Sequence, residues 1–556
     1  MTLNDFLIFI DSFLGSAAWF PFLLIGIGVF FSIYLKFPQF RLFRHAWSVL
    51  FDPEEGSKAK GETSHFQALS MALSGTIGTG NIGGVGLAVY LGGPAALFWM
   101  LVSAFVGMTT KFVEVSLSHK YRVTVEDGTV SGGPMYVMDN GLGWKPLAIM
   151  FAVAISMTSM GSGSMPQVNN MAQVLRETFN ISEIITGVVA TTLLGFVVIG
   201  GVTRIAHFAA KVVPLMAFLY FIGALAVIIT NYQNIIPSFI SIFADAFNGS
   251  AALGGFLGAS FAFAFNRGVN RGLFSNEAGQ GAAAIAHSSA ITDEPISEGV
   301  VALLEPFIDT IIICTLTGLV ILSSGVWTKK HENIFQQADF SIIMGNYSDN
   351  VPAERQELYK YLNFLEGSSI REYDGTIDIL DGHLVSKDLT IINARSVAED
   401  VLFYKTNEGN DLVPYTGKLS VRNGDVINVD TVIMGKSLVH SAALTSIAFT
   451  KSFLGQGGQY IVAIALTLFA FSTAVAWSYY GNRCMVYLFG IKAILPFRLV
   501  YLTGFFMASI SDTTIIWNIA AITVVFSTLP NLLCMVMMRS EIKNMLDDYI
   551  EKFVRK

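Results

Sequence analysis

Charged residues are scarce in this sequence. Asp, Glu, Lys and Arg make up 13% of its 556 residues, against about 25% in an ordinary soluble domain. With 53% hydrophobic residues and 44 Phe, there is more apolar surface than a water-soluble core can hide. Lipid contact accommodates it. Cysteine is nearly absent too. Cys314, Cys484 and Cys534 each lie in or beside an apolar run, and no pair has metal-ligand spacing. They read as small buried apolar residues and carry no information about redox compartment. The formal charge is −7, but the charges are segregated by loop rather than gathered on one surface, and no nucleic-acid partner is expected. No basic stretch precedes the first apolar run, so no cleavable signal peptide is expected and the spans themselves direct targeting. A hydrolase inside the membrane would need a nucleophile–base pair. No Ser/His dyad or metal spacing is visible, and His287 stands without a partner motif. No filter loop repeats, as a channel would require. Neither a catalytic residue nor a cofactor is expected.

What the sequence does have is apolar length. A membrane-spanning helix needs about 20 mostly apolar residues. Eleven candidate spans centre on 17–35, 66–90, 94–118, 146–174, 182–201, 207–229, 252–288, 299–325, 457–488, 496–511 and 513–537. Lys and Arg in the short loops set the orientation. One side collects Lys36, Arg41, Arg44, Lys58, Lys60, Lys120, Arg122, Lys145, Arg204, Lys211, Arg483, Lys492 and Arg498. The C-terminal tail adds Arg539, Lys543, Lys552, Arg555 and Lys556. The other side, one long loop aside, has only Arg176. The expectation is a multi-pass protein of the cell (inner) membrane with its N-terminus outside and its C-terminus cytoplasmic.

The long loop, 327–436, is acidic and β-rich. A helix-like stretch, Pro352 to Leu365, precedes short runs at Thr376–Leu380, Leu389–Asn393 and Lys418–Val421. The turn dipeptides Asp374-Gly375, Asp381-Gly382 and Asn423-Gly424 separate them. The expected organisation is transmembrane helices 1–8 in 1–326 and an inserted extracytoplasmic α+β domain in 327–436. Helices 9–11, preceded by an external helix, fill 437–538, and 539–556 form a cytoplasmic tail. The inserted domain is expected to cap the external entrance without reaching the bilayer midplane. Its external partner is unknown.

Two spans make poor helices. Ser74 to Gly86 reads SGTIGTGNIGGVG, and Asn266 to Gly281 reads NRGVNRGLFSNEAGQG with Arg267, Arg271 and Glu277 in mid-span. Non-helical backbone at membrane depth is tolerated only where protein buries it or a wet cavity receives it. Half-helix N-termini attract carboxylates and unwound carbonyls coordinate cations. Close helix packing on small residues is the plainer explanation of the Gly run, but it does not need Thr and Asn, and it does not explain the charges of the second tract. The two tracts open successive sets of five spans, about 190 residues apart, the arrangement of an inverted-repeat secondary transporter.

The tracts SGTIGTGNI (74–82), GGPAALFWMLVSAFVG (92–107), RGLFSNEAG (271–279) and AFSTAVAWSYYG (470–481) together resemble the alanine or glycine:cation symporter family across essentially all the spans. Leu101 stands where that signature usually has Trp, and Gly83 and Gln280 replace expected Ala and apolar residues. These last two are expected to enlarge or polarise one wall of the pocket. The resemblance implies an all-α polytopic fold of the leucine-transporter five-plus-five type with one extra N-terminal helix. It implies Na⁺-coupled symport of a small neutral amino acid, alanine or glycine, into the cell by alternating access, with H⁺ as the alternative coupling ion. The partners implied are that amino acid, Na⁺ and the lipid bilayer.

On that reading the N–H groups around Thr79 and Gly80 take the substrate carboxylate, and Asn81 offers its amide to the substrate or its oxygen to Na⁺. The carbonyls of Ser74 and Ile77 face the hydroxyls of Ser472 and Thr473 and form the Na⁺ site, since hard cations prefer oxygen ligands. Back-bonding of those hydroxyls to their own helix is the alternative. Gln167 is read as a substrate contact rather than interhelical glue, and Phe274, Asn276 and Trp477 as pocket wall rather than core. Of the remaining intramembrane charges, Lys111 and Glu114 can pair with each other and Arg271 and Glu277 flank the second interruption. Glu305 and Asp309 share one helical face without an assigned role. The competing class is a membrane sensor whose bundle has lost its site, which the intact Gly78–Asn81 and Ser472–Thr473 tracts argue against.

Overall fold

The computed structural model describes residues 3–15, 17–51, 59–126, 128–386, 388–407, 411–427, 431–511 and 513–554. Of the basic residues named above, Lys58, Arg555 and Lys556 lie outside the described residues. Seven helical segments among the described residues are long and apolar enough to cross a membrane: Gly80–Lys120, Lys145–Phe179, Gly201–Thr230, Pro295–Ser324, Gly457–Phe489, Ile491–Ser509 and Ile515–Met537. The other expected spans are shorter. Two are the apolar helices Trp19–Tyr34 and Glu183–Ile199; the other two are interrupted.

The first interrupted helix runs from His65 to Thr76, leaves helical geometry at Ile77 and resumes at Gly80 as a π-wound turn, Gly80–Gly84, that passes into Val85–Lys120. Its start is fixed by a capping box in which Ser64 and Gln67 bond each other's backbone N–H. Within Val85–Lys120 a single residue, Gly93, turns the chain with φ 64 and ψ −156, and Pro94 opens the next stretch. Ser250 closes that hinge. Its Oγ accepts from Ala95 N at 3.1 Å and donates to Gly92 O at 2.7 Å. A Cβ at Gly93 would lie 2.5 Å from that serine, so both the left-handed φ and the contact demand glycine.

The second interrupted helix begins at Phe261, after a turn-rich stretch that the sequence assigned to the span. It ends at Asn276, and Ala282–His287 continues beyond Glu277–Gly281. Glu277 takes φ 54, a conformation costly for a residue with a Cβ. The two interrupted helices lie head to tail. His65–Thr76 packs on Ala282–His287, and Gly80–Gly84 packs on Phe261–Asn276. Glu62 and Thr63 donate to Ser289 O, and Ile291 N donates to Thr63 O, closing one end of the pair. Gly457–Phe489 packs along His65–Thr76, and the segment Lys145–Phe179, interrupted at 162–164, packs on Gly457–Phe489 in turn.

Between 331 and 437 the chain forms three antiparallel sheets and the helix Pro352–Leu362. The runs read from sequence lie in strands Gly375–Leu380, Leu389–Asn393 and Gly417–Arg422. Asp381-Gly382 and Asn423-Gly424 form two-residue hairpin turns with positive φ at both positions, the primed geometry that matches strand twist. Ile342, Ile377, Phe403 and Leu419 anchor a core separate from that of the helical bundle. This β-rich part is tied to the second interrupted helix at its start. Asn363 Oδ1 accepts from the N-cap residue Ser260 at 2.8 Å, and the Arg395 guanidinium stacks 4.3 Å from the Phe263 ring centre.

Candidate functional site

At the first interruption the chain gives up its helical ladder and its carbonyls turn toward Gly457–Phe489. Thr473 Oγ1 donates to Ser74 O at 3.1 Å and lies 3.3 Å from Ile77 O. Ser74 Oγ donates to Ser472 O at 2.8 Å. The approach depends on Gly78, whose Cβ, if it had one, would sit 2.7 Å from Thr473 Oγ1. Ser472 behaves differently, since its hydroxyl donates to Phe469 O of its own helix at 2.9 Å. Three of the four oxygens expected for a cation converge, and the Ser472 hydroxyl turns aside to its own helix.

Beside them lies the start of the resumed helix. Thr79 N donates to Gln167 Oε1 at 3.1 Å, and Gly78 N donates to Asn81 Oδ1 at 2.9 Å. The Thr79 hydroxyl is buried and has no hydrogen-bond partner among the described residues. Asn81 and Phe274 both touch this point and reach beyond it. Asn81 Nδ2 reaches toward Ser275 and Asp309, and Phe274 packs against Gly80 and Trp517. Trp477 rests on the backbone at Gly163, where a Cβ would come within 2.2 Å of the ring, and its Nε1 donates to Glu277 Oε1 at 2.9 Å. Asn276 Oδ1 accepts from Ala278 N at 3.0 Å while its Nδ2 has no partner among the described residues. Gly83 faces Ala442 of the short helix Ser441–Thr450, not the Thr79–Gln167 contact, so it cannot widen a pocket there. Gln280 lies at the second interruption, where its Nε2 reaches Leu273 O at 3.5 Å and its Oε1 has no partner among the described residues.

Sequence reasoning missed how the buried charges connect. Lys111 sits 2.9 Å from Glu305 and 3.6 Å from Glu114, so its closer partner is on another span, not on its own turn. Glu114 Oε2 accepts from Gly279 N, Gly281 N and Asn531 Nδ2 at 3.1, 3.2 and 2.9 Å, holding the second interruption in place. His287, which lacked a partner in the sequence, bonds Glu298 at 2.5 Å and lies 3.6 Å from Glu305; Glu298 also bonds His65. Arg271 and Glu277 do not meet. Arg271 stacks over Trp517, 5.3 Å from its ring centre.

A cavity of about 520 Å³ opens beside this region on the face that carries the β-rich insertion, bounded by Asn170, Arg271, Trp517, Asp339 and His440. Asn170 lies one helical turn beyond Gln167. Phe274 contacts Trp517 on one side and Gly80 on the other, so the two aromatics separate the cavity from the buried residues around Thr79. At the cavity's edge His440 Nε2 lies 2.8 Å from Asp339 Oδ2, joining the insertion to the helix Ser441–Thr450.

Two interrupted helices set head to tail inside an apolar bundle, with polar groups meeting at both interruptions, are the arrangement of a multi-pass membrane carrier. Residues 1–351 and 424–556 match the sodium:alanine symporter family. The chain is 32% identical to an uncharacterized transporter of Haemophilus influenzae over 99% of this chain and 97% of that protein. It is 32% identical to the sodium/alanine symporter AgcS of Methanococcus maripaludis over 95% of this chain and 94% of that protein. It is 40% identical to the putative sodium/proton-dependent alanine carrier protein YrbD of Bacillus subtilis over 58% of this chain and 64% of that protein. The chain belongs to the sodium:alanine symporter family, a family of transporters rather than enzymes.

Proposed function

We propose that this protein carries a small neutral amino acid, alanine or glycine, into the cell together with Na⁺ by alternating access. The observation that carries the reading is the meeting of Ser74 O, Ile77 O and Thr473 Oγ1 at the first interruption, beside a helix start held by neutral side chains. Oxygen ligands from an unwound backbone and a hydroxyl suit an alkali cation, and Ser472 completes the set by turning its hydroxyl from Phe469 O. A substrate carboxylate replaces Gln167 Oε1 as the acceptor of Thr79 N–H and adds the N–H of Gly80, favoured by the helix dipole without any Arg. Gln167 and Asn81 then contact the substrate, with Phe274, Asn276 and Trp477 as its walls. The names of these relatives support alanine as cargo and Na⁺, or Na⁺ and H⁺, as coupling ions.

In this reading the chain crosses the inner membrane eleven times, with spans 2–6 and 7–11 as inverted repeats. Its N-terminus is outside and its C-terminus cytoplasmic. Residues 327–436 form an extracytoplasmic domain over the external mouth, and the 520 Å³ cavity beneath it is the outer vestibule. Uptake of labelled alanine, glycine, serine and glutamine into proteoliposomes tests the proposal. Alanine and glycine are expected to accumulate only with an inward Na⁺ gradient. Accumulation driven equally by a proton gradient in Na⁺-free buffer would replace Na⁺ with H⁺, and strong competition by lysine or glutamate with none by alanine would overturn the substrate class.

A further inference from the structure

Arg267 and Arg271 lie one helical turn apart on Phe261–Asn276. Among the described residues neither guanidinium makes a hydrogen bond or an ion pair, and their contacts are aromatic. Arg267 stacks 5.0 Å from the Phe263 ring centre, and Arg271 lies 5.3 and 5.9 Å from those of Trp517 and Phe274. Arg267 Nε is buried without a partner among the described residues. Arg395 of the insertion stacks on the same Phe263 ring; one of its nitrogens donates to Leu362 O and another, Nη2, has no partner among the described residues.

Three positive charges therefore gather on this helix. Asp11, on the helix Leu3–Phe13, lies against Gly15 and brings one carboxylate to the same neighbourhood. The guanidiniums outnumber it by two. Aromatic faces offset part of the cost of holding a cation in an apolar bundle, but they accept no N–H in the way an oxygen does. A guanidinium has five donors in a fixed fork, and phosphate oxygens match that fork.

The space beside the two arginines has a definite character. Arg267 and Arg271 share a cavity of about 90 Å³ walled by Phe20, Leu273, Ala521 and Val524. Asn270, between them in sequence, donates to Gly15 O at 3.2 Å on its rim. Arg271 also borders the 520 Å³ cavity, whereas Arg267 does not, so the space common to both is the smaller, apolar one. The helix Leu3–Phe13 ends two residues before Gly15 and packs on Thr513–Met537. It leaves Phe6, Phe9 and Phe13 exposed, as a helix meeting acyl chains does. An anion that enters between such walls is best supplied on an apolar tail, and long Arg side chains reach toward headgroups.

We infer that Arg267 and Arg271 hold the phosphate group of a membrane phospholipid, with its acyl chains along Leu3–Phe13. The bound lipid ties the N-terminal helices to the second interrupted helix. This site lies outside the Thr79–Thr473 region and is independent of the coupling ion.

Native mass spectrometry of the full chain in dodecyl maltoside, whose headgroup has no phosphate, tests it. The probes are dioleoyl phosphatidylglycerol, dioleoylglycerol and inorganic phosphate. Wild type is expected to retain one phosphatidylglycerol per chain after excess lipid is removed, and no dioleoylglycerol. Arg267→Gln and Arg271→Gln are each expected to weaken phosphatidylglycerol binding about ten-fold, and Arg267→Lys, which keeps the charge, to weaken it less. Unchanged binding in both Gln variants would overturn the site. Equal retention of the two lipids by wild type would overturn it as well, and that comparison needs no variant to fold. Displacement of phosphatidylglycerol by inorganic phosphate would make the ligand a free anion and overturn the lipid as its source.

Discussion

At Ile77–Thr79 the first interrupted helix hands its freed groups to neutral partners, the Thr473 hydroxyl and the Gln167 amide. At Glu277–Gly281 the second hands two N–H groups to the carboxyl group of Glu114, which belongs to a buried chain through Lys111, Glu305, His287, Glu298 and His65. Neutral partners are cheap to exchange, because a ligand can replace each bond with one of similar strength. A buried charge chain is not, because removing one member strands another. On the proposed function, the contrast makes the first interruption the place of ligand exchange and the charged side of the second its framework.

That contrast breaks most visibly at Glu114. Glu114→Ala is expected to cost about 3–5 kcal/mol, enough to prevent recovery of folded protein. Glu114→Gln, which keeps an accepting oxygen, should fold with a lowered thermal midpoint in detergent. Equal stability of Glu114→Ala and wild type would remove the framework role. Trp477→Phe comes next. It leaves the Glu277 oxygen unpaired inside the bundle, an expected loss of about 1–3 kcal/mol read by the same melt.

Gln167→Leu sharpens the other side. Thr79 N–H then lacks its acceptor, at an expected cost of about 1 kcal/mol, and added alanine should restore more of the thermal midpoint in the variant than it adds to wild type. No difference between the two alanine responses would mean that no carboxylate reaches Thr79. The smallest effect is expected from the insertion. Replacing residues 330–434 with a short Gly/Ser linker should preserve Na⁺-driven uptake with less than about ten-fold change in apparent affinity, because the insertion borders the 520 Å³ cavity and not the Thr79–Thr473 region. Complete loss of alanine binding by the folded variant would show that the insertion forms part of the site.

What the sequence revealed follows the range of its signals. Both interruptions were legible, because six glycines and mid-span charges violate helix patterning locally. The hairpin turns in the insertion were legible for the same reason, since Asp-Gly and Asn-Gly carry their own geometry. The Lys111–Glu305 pair and the His65–Glu298–His287 link were not. Their partners belong to different helices, and no periodicity states which buried faces meet. Asp309 was visible only as an acidic residue on the face it shares with Glu305; the structure shows that its partners are Asn81 and Ser275. Gly83, expected to enlarge one pocket wall because it replaces the Ala of the family pattern, has the helix Ser441–Thr450 as its neighbour instead.

The central claim, that exchangeable oxygens at the first interruption bind the coupling ion, meets its most direct test in one titration. Initial alanine uptake into proteoliposomes is measured against external Na⁺ for wild type and Thr473→Val at matched amounts of folded protein. Loss of one oxygen ligand is expected to raise the Na⁺ concentration for half-maximal uptake by about ten-fold or more, roughly 1.4 kcal/mol. An identical Na⁺ dependence in the two proteins would contradict the assignment.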